Sequence, residues 1–169
     1  MDHAKAQSEL EDLNESFRRL RDEFGFDDLT NYGRLKEFAM AAALGHEFPG
    51  EYADADAFDE NGSPVEYKST VQEIINATYN GISVQPTWDD QLQYLREEKI
   101  CKYGDHFYAR FPRHNLEIRE MYRLDGSTVL ELLLPKLKRQ FDSQKQRKDP
   151  RLGSSIGQTD IREYGTRVK

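Results

Sequence analysis

A change of hydrophobic period at Pro49-Gly50 constrains the fold of this chain more than any other feature of its sequence. Before this point, residues 7–24 carry apolar side chains three or four positions apart, at Leu10, Leu13, Phe17, Leu20 and Phe24. That spacing predicts an amphipathic helix. After it, short apolar runs alternate with turn residues, which predicts strands. We therefore expect an α+β protein with a central mixed β-sheet flanked by helices.

Residues 1–45 form the predicted helical region. A second helix is predicted over residues 31–44, with Thr30 or Asn31 as its N-cap and Gly45 as its stop. The spacing in the first helix resembles a coiled-coil seam two heptads long. Its apolar stripe is expected either to pack on the chain's own core, which is the favoured interpretation, or to pair with the same helix of a second copy.

Residues 49–124 form the predicted sheet region, and residues 125–169 complete what we expect to be a single domain. After Gly50 we first expect a hairpin of strands 52–59 and 64–70 around a turn at 60–63, and then a helix over 87–99 capped by Thr87. Two strands, 105–111 and 116–123, follow around a turn at 112–115, and next comes a helix over 125–141 that Pro135 kinks or ends. The last elements are a basic loop over 144–157 and closing strands at 159–163 and 166–169.

The distribution of charge leaves room for a nucleic-acid partner, although the net charge is −7. Residues 1–66 carry 17 acidic and 6 basic residues, residues 67–135 carry 10 and 8, and residues 136–169 carry 4 and 10. A basic C-terminal segment can present a local positive surface to phosphates. A merely solvated basic face explains the same distribution equally well.

Other features exclude several classes of protein. No apolar stretch approaches the roughly 18 residues that cross a bilayer, and the first residues lack the pattern of a signal peptide. We therefore expect a cytoplasmic protein without a membrane partner. The lone Cys101 cannot form an internal disulfide and is given no role. No organic cofactor is expected.

A candidate site for chemistry lies on the predicted hairpin. Asp56 precedes Glu66 by ten residues, and Lys68 follows Glu66 by two. Residues two apart in a strand share a face, so Glu66 and Lys68 project together while Tyr67 points into the other layer. If Asp56 faces the same way from the neighbouring strand, two carboxylates and an ammonium converge. Such oxygen ligands suit Mg²⁺, and the ammonium suits the charge that develops in phosphodiester hydrolysis.

Two other interpretations compete for these residues. A Glu-x-Lys pair on a strand is often only a solvated surface salt bridge. The oxygen-rich residues 54–62 suggest a calcium loop instead. The twelve-residue EF-hand frame beginning at Asp54 fails, however, because Phe58, Asp59 and Val65 occupy its fifth, sixth and twelfth positions.

The residues around the motif resemble a known family. The segments Asp56-Ala57-Phe58-Asp59 and Glu66-Tyr67-Lys68-Ser69, with Gly62 between them, resemble the catalytic hairpin of PvuII-like type II restriction endonucleases in the PD-(D/E)xK nuclease superfamily. Residues 107–111 and 121–124 are similar to two later strands of that family, and residues 163–166 to its C-terminal turn. The resemblance implies a restriction-endonuclease-like mixed sheet and Mg²⁺ as the cofactor.

The resemblance also assigns roles to residues. It implies that Asp56 and Glu66 are metal ligands, with Tyr67 in the same ligand set, and that Lys68 is the catalytic lysine. Tyr103 matches a tyrosine near the scissile phosphate. It further implies a homodimer on double-stranded DNA, with the N-terminal helix at the dimer interface.

Base reading is expected to differ from that of the resembling family, whose histidine cluster is replaced here by residues 76–83. Polar side chains in this segment either bond to base edges or form an ordinary polar turn. The basic loop is expected to contact phosphates, with a solvated loop as the alternative. The DNA-contact candidates are Thr78, Tyr79, Asn80 and Ser83 in the first segment and Lys145, Arg147, Lys148 and Arg151 in the loop.

The favoured function is that of a type II restriction endonuclease, which hydrolyses both strands of a short palindromic site with Mg²⁺. Nicking, repair or junction-resolving nucleases on the same scaffold are the alternatives among enzymes. A DNA-binding protein that lost cleavage is the alternative from another class.

Overall fold

A five-stranded mixed sheet lies at the centre of the computed structural model, which describes residues 3–25, 32–49, 53–113, 115–143 and 151–169. The strand order is β1-β2-β4-β5-β7. Strands β2 and β4 are parallel, and the other neighbours are antiparallel. In chain order the strands are β1 (Ala57–Phe58), β2 (Pro64–Thr70), β3 (Ala77–Ile82), β4 (Asp105–Arg110), β5 (Glu120–Asp125), β6 (Leu152–Ile156) and β7 (Thr166–Arg167).

The predicted α+β class with a mixed central sheet and flanking helices is confirmed. The helices are α1 (His3–Phe24), α2 (Tyr32–Leu44), α3 (Trp88–Tyr94), α4 (Gly126–Ser143) and α5 (Gln158–Tyr164), with a π-helical turn (Leu95–Lys99) directly after α3. Thr87 caps α3 as predicted, because its hydroxyl accepts a hydrogen bond from the Asp90 amide at 3.1 Å. Helix α2 ends at Leu44, and the φ of 72° at the following Gly45 suits a glycine. The predicted N-cap residues of α2 lie outside the described residues.

Helix α4 continues through Pro135. A proline cannot donate to the carbonyl four residues earlier, which here belongs to Glu131. Both residues are exposed, so water can satisfy that carbonyl. The exposed position therefore explains why the predicted early end at Pro135 does not occur.

Strands β3 and β6 form a second, two-stranded antiparallel sheet. The polar-turn interpretation of residues 76–83 is therefore wrong, and so is the prediction of a loop throughout residues 144–157. In β6 the buried residues Leu152, Ser154 and Ile156 alternate with partly or fully exposed ones. Glycine and serine dominate this strand and conceal its period of two from an analysis based on apolar residues.

Helix α5 replaces the strand that was predicted over residues 159–163. The Asp160 carboxylate accepts a hydrogen bond from the Gly157 amide at 3.4 Å, which stabilises the start of the helix. Ile161 is completely buried and fixes the helix against the core. With one buried side chain, this short segment lacks the apolar periodicity from which a helix is predicted. The second closing strand is confirmed at β7.

Two apolar clusters pack on opposite faces of the central sheet. One cluster contains Tyr67 and Phe107 and is covered by α2, through Met40 and Ala41. The other contains Tyr108 and is covered by α4, β3 and β6. Glu66 and Lys68 alternate with Tyr67 along β2 and therefore face the side of the second cluster.

Helix α1 leaves most of its predicted apolar stripe uncovered. Leu10, Leu13 and Phe24 are 55%, 47% and 54% exposed. Phe24 contacts the Phe38 ring of α2 edge-on at 5.7 Å. The favoured prediction, that the stripe packs on the chain's own core, is therefore wrong for these three residues. Among the helices in the described residues, none is long and apolar enough to cross a membrane.

We expect Gly126→Ala to destabilise the protein by about 1–3 kcal/mol, because an overpacked site must shift its neighbours. A Cβ at residue 126 would lie 2.5 Å from the Tyr103 carbonyl oxygen and 3.1 Å from Cys101 Cα. Gly104→Ala is the matched control, since a Cβ there meets no atom within 4 Å. Urea unfolding of both variants measures the difference. Equal stability of the two variants would contradict the close contact.

Candidate active site

The hairpin of β1 and β2 places Asp56 opposite Glu66. Ala57 pairs with Val65 in the antiparallel register, so the preceding residue faces Glu66. Asp56 itself lies in a bend immediately before β1, and the strand predicted over residues 52–59 is confined to Ala57–Phe58. The Tyr67 amide donates a hydrogen bond to Asp56 Oδ2 at 2.7 Å, which fixes this carboxylate beside β2.

Lys68 and Glu66 project from the same face of β2, as predicted. The Lys68 ammonium donates a hydrogen bond to Glu66 Oε1 and lies 5.3 Å from the centre of the Tyr79 ring. The side chains of Lys68 and Glu66 are only 27% and 17% exposed. The interpretation of this pair as a solvated surface salt bridge is therefore wrong.

The surroundings of Asp56 disfavour its charged form. Burial, followed by the negative charge of Glu66, raises the pKa of Asp56 from 3.8 to about 7. The Tyr67 amide and the Lys68 ammonium oppose this rise without cancelling it. Glu37 on α2 adds negative charge and raises the pKa further. The sequence pattern does not indicate Glu37, because only the packing of α2 on the sheet brings it near the site.

This donor set fits a divalent cation. Paired carboxylates supply the hard oxygen ligands that Mg²⁺ prefers, and a cation would relieve their mutual repulsion. Across the described ranges, no group of three or more histidine, cysteine, aspartate or glutamate side chains is arranged to hold a metal ion. Asp56 and Glu66 would therefore leave the remaining ligand positions to water or substrate oxygens.

The side chain of Tyr67 does not belong to this site. It points to the opposite face of β2, where its ring is 4% exposed and its hydroxyl lies 2.8 Å from His46 Nδ1. Burial raises the pKa of this phenol far above its ordinary value, which keeps it protonated. The Tyr67 side chain therefore faces the layer that strand parity predicts, and its place in the metal-ligand set stays a prediction. Its backbone amide supports the site by holding Asp56.

A small cavity of about 80 Å³ joins the pair on β2 to residues from three other segments. Its lining residues are Glu66, Lys68, Thr78, Tyr79, Asn80, Lys99 and Tyr103. The structure thus brings Tyr103 to the predicted catalytic residues. The Tyr103 hydroxyl donates to the Asp54 carbonyl at 2.7 Å, and burial raises its pKa to about 12. Lys99 was not predicted as a site residue. In the sequence, only its position four residues before Tyr103 connects it with the predicted site.

The residues proposed to contact DNA divide into three groups. Thr78 and Asn80 are exposed on β3 and line the cavity, and Ser83 is exposed just after the strand. Arg151 is exposed immediately before β6. Three further candidates lie outside the described residues: Lys145, Arg147 and Lys148. Tyr79 is only 7% exposed, so its prediction as a DNA-contact residue is corrected.

Tyr79 instead connects β3 to a buried hydrogen-bond network beneath Lys68. Its hydroxyl lies 2.9 Å from His106 Nδ1 and 2.7 Å from the Tyr108 hydroxyl. His106 Nε2 lies 3.0 Å from the Ile100 carbonyl, and only a protonated nitrogen can donate to it. Burial lowers the pKa of His106 to about 4, so the ring is neutral and Nδ1 accepts. Tyr79 therefore donates to His106 and accepts from Tyr108.

We expect Asp56→Asn to raise the free energy of unfolding by about 1–2 kcal/mol at pH 8 in EDTA. A carboxyl whose pKa is raised in the folded state destabilises the protein as pH rises from about 4 to about 7. The difference between variant and wild type should therefore vanish near pH 4. Urea unfolding at the two pH values measures it. A variant less stable than wild type at pH 8 would contradict the raised pKa of Asp56.

We expect Tyr79→Phe to destabilise the protein by about 1–3 kcal/mol, because it leaves a buried acceptor on His106 and a buried donor on Tyr108 without their partner. Tyr164→Phe removes a hydroxyl from a residue that is 55% exposed and serves as the control. Thermal and urea unfolding compare the two. If both substitutions change stability equally, the buried network does not contribute.

Comparison with known proteins assigns no family to the chain. It matches no protein-family model and no curated protein. Support for a function therefore comes from the geometry and the charge of the site itself.

Proposed function

We propose that this protein is a Mg²⁺-dependent endonuclease that hydrolyses phosphodiester bonds in double-stranded DNA, as a type II restriction endonuclease does. One observation carries the proposal. Asp56 and Glu66 are held together beside the Lys68 ammonium, in a partly buried site with a polar cavity. A carboxylate pair with an adjacent cation is suited to a reaction at a phosphate, where negative charge increases in the transition state.

Each side chain of the site has a role in this proposal. Asp56 and Glu66 would hold Mg²⁺, which supplies Lewis acidity toward the phosphate and the attacking water when bound. Lys68, oriented by Glu66 and by the Tyr79 ring, donates a hydrogen bond to the developing negative charge. Tyr103 keeps its proton, which it donates to the Asp54 carbonyl, and its neutral side chain forms part of the cavity wall.

The exposed face of β3 supports double-stranded DNA as the substrate. Thr78 and Asn80 border the same cavity as Lys68, so a strand cleaved there would pass close to both side chains. Amide and hydroxyl groups at such positions can bond to base edges. Residues 145–151 would add phosphate contacts, which position DNA without specifying its sequence.

The uncovered stripe of α1 supports a homodimer. Leu10, Leu13 and Phe24 share the spacing of a helix–helix seam and remain about half exposed in a single chain. Each chain carries one candidate site, so a two-fold dimer would cut both strands of a palindrome. Such an enzyme would act in the cytoplasm as part of a restriction–modification system.

The proposal predicts Mg²⁺-dependent cutting of supercoiled plasmid or phage DNA into discrete linear fragments. Lys68→Ala and Glu66→Gln are each expected to lower the cleavage rate about a hundredfold or more, because the first removes the ammonium that acts on the transition-state charge and the second removes a proposed metal ligand. Lys138→Ala, on the exposed face of α4, is the control for loss of one positive charge. Gel electrophoresis with Mg²⁺ or EDTA measures the rates.

The products separate the possible outcomes of this assay. Discrete bands support restriction, whereas accumulation of relaxed circles indicates a nicking enzyme on the same site. Binding without cleavage by the wild type would overturn the proposal in favour of a DNA-binding protein. Cleavage by Lys68→Ala at the wild-type rate would refute the assigned site.

A further inference from the structure

We propose that Lys99 binds a phosphate group of the DNA strand that is being cut, and that it is the second cation of the active site. This inference rests on the proposed function, and it concerns a residue outside the hairpin motif. Lys99 lines the same small cavity as Glu66 and Lys68, although it lies 31 residues after Lys68 in the chain. The fold, and not the motif, brings the two ammonium groups to one cavity.

The π-helical turn explains how Lys99 reaches the cavity. The turn spans Leu95–Lys99, and the Ile100 amide closes it by donating to the Leu95 carbonyl at 2.8 Å. Leu95 and Ile100 are completely buried and anchor both ends. Each wide turn inserts an extra residue relative to an α-helix and changes which side chain faces a given direction. Here the partly exposed Lys99 faces the cavity while Arg96 is exposed outside it.

Lys99 and Lys68 differ in whether their ammonium groups are paired. The Lys68 ammonium is already paired with Glu66 and lies over the Tyr79 ring. Within the described part of the chain, no hydrogen bond or ion pair involves the Lys99 ammonium. The remaining wall is formed by neutral polar groups, which include Thr78, Asn80 and Tyr103. A cation in such a wall is suited to an anionic ligand with several acceptor oxygens.

The size and position of the cavity indicate a phosphate group as that ligand. The cavity, about 80 Å³ in volume, has room for a group of the size of a phosphate. Glu66 and Lys68 line the same cavity, so a phosphate held there by Lys99 would belong to the strand that they act on. Asn80 and Thr78 border it from β3, where the bases of that strand would be read. Lys99 would thus fix the strand between its reading surface and its cleavage site.

The test compares Lys99→Gln, Lys99→Arg and Arg96→Gln by the initial rate of plasmid cleavage with Mg²⁺ over a range of NaCl concentrations. Arg96→Gln is the matched control, because it removes one positive charge from the same turn but outside the cavity. Lys99→Gln is expected to lower kcat/KM about tenfold. It should also reduce by about one the salt slope, which is the steepness with which the logarithm of kcat/KM falls with the logarithm of the NaCl concentration. Lys99→Arg should retain most activity and the full slope. Thermal unfolding should be unchanged in all three.

The outcomes separate this inference from the proposed function. If the wild type cuts DNA and Lys99→Gln has the same rate and salt slope, the role of Lys99 is overturned while the proposed function stands. A loss of rate that Arg96→Gln shares equally also overturns it, because the effect would be one of general charge. If the wild type does not cut, fluorescence anisotropy with labelled duplex DNA in EDTA replaces cleavage. A salt slope lowered only by Lys99→Gln then supports the contact without catalysis, and absence of DNA binding by the wild type overturns both proposals.

Discussion

The register between β1 and β2 is the constraint on which the whole site depends. Pairing of Ala57 with Val65 sets Asp56 opposite Glu66, and the hydrogen bond from the Tyr67 amide at 2.7 Å holds that position. A slip of one residue would turn every side chain of the strand to the other face of the sheet. The register is itself fixed by burial, because Val65 and Tyr67 must face the cluster under α2. Packing on one face of β2 therefore determines which polar groups meet on the other.

Burial of that apolar face also offsets the unfavourable electrostatics of the site. Burial of the Asp56 carboxylate, together with the nearby charge of Glu66, destabilises the folded chain at neutral pH, as its pKa of about 7 indicates. The Tyr67 ring contacts the Phe107 ring edge-on at 5.9 Å and its hydroxyl bonds to His46, all directly behind the carboxylates. Such strain at a polar site persists where the surrounding packing overdetermines it.

The hairpin, α3 and the carboxylate–lysine cluster could be predicted from local signals: alternation, turn residues, the Thr87 cap and strand parity. Strands β3 and β6 could not, because the alternation of β3 breaks at a register shift between Tyr79 and Ile82, and glycine and serine conceal that of β6. The position of Tyr79 likewise depends on contacts with His106 and Tyr108, which are 27 and 29 residues away. Lys99 was missed because a π-helical turn, which the apolar pattern does not reveal, sets its direction.

The position of Lys68 depends on both sheets. Glu66 orients its ammonium from within β2, whereas the Tyr79 ring beneath it belongs to β3 of the second sheet. Tyr79 alternates along β3 with Thr78 and Asn80, so one short strand presents polar groups outward and supports the lysine inward. The pairing of β3 with β6 in the second sheet therefore fixes the ring beneath Lys68, which no residue of the hairpin does.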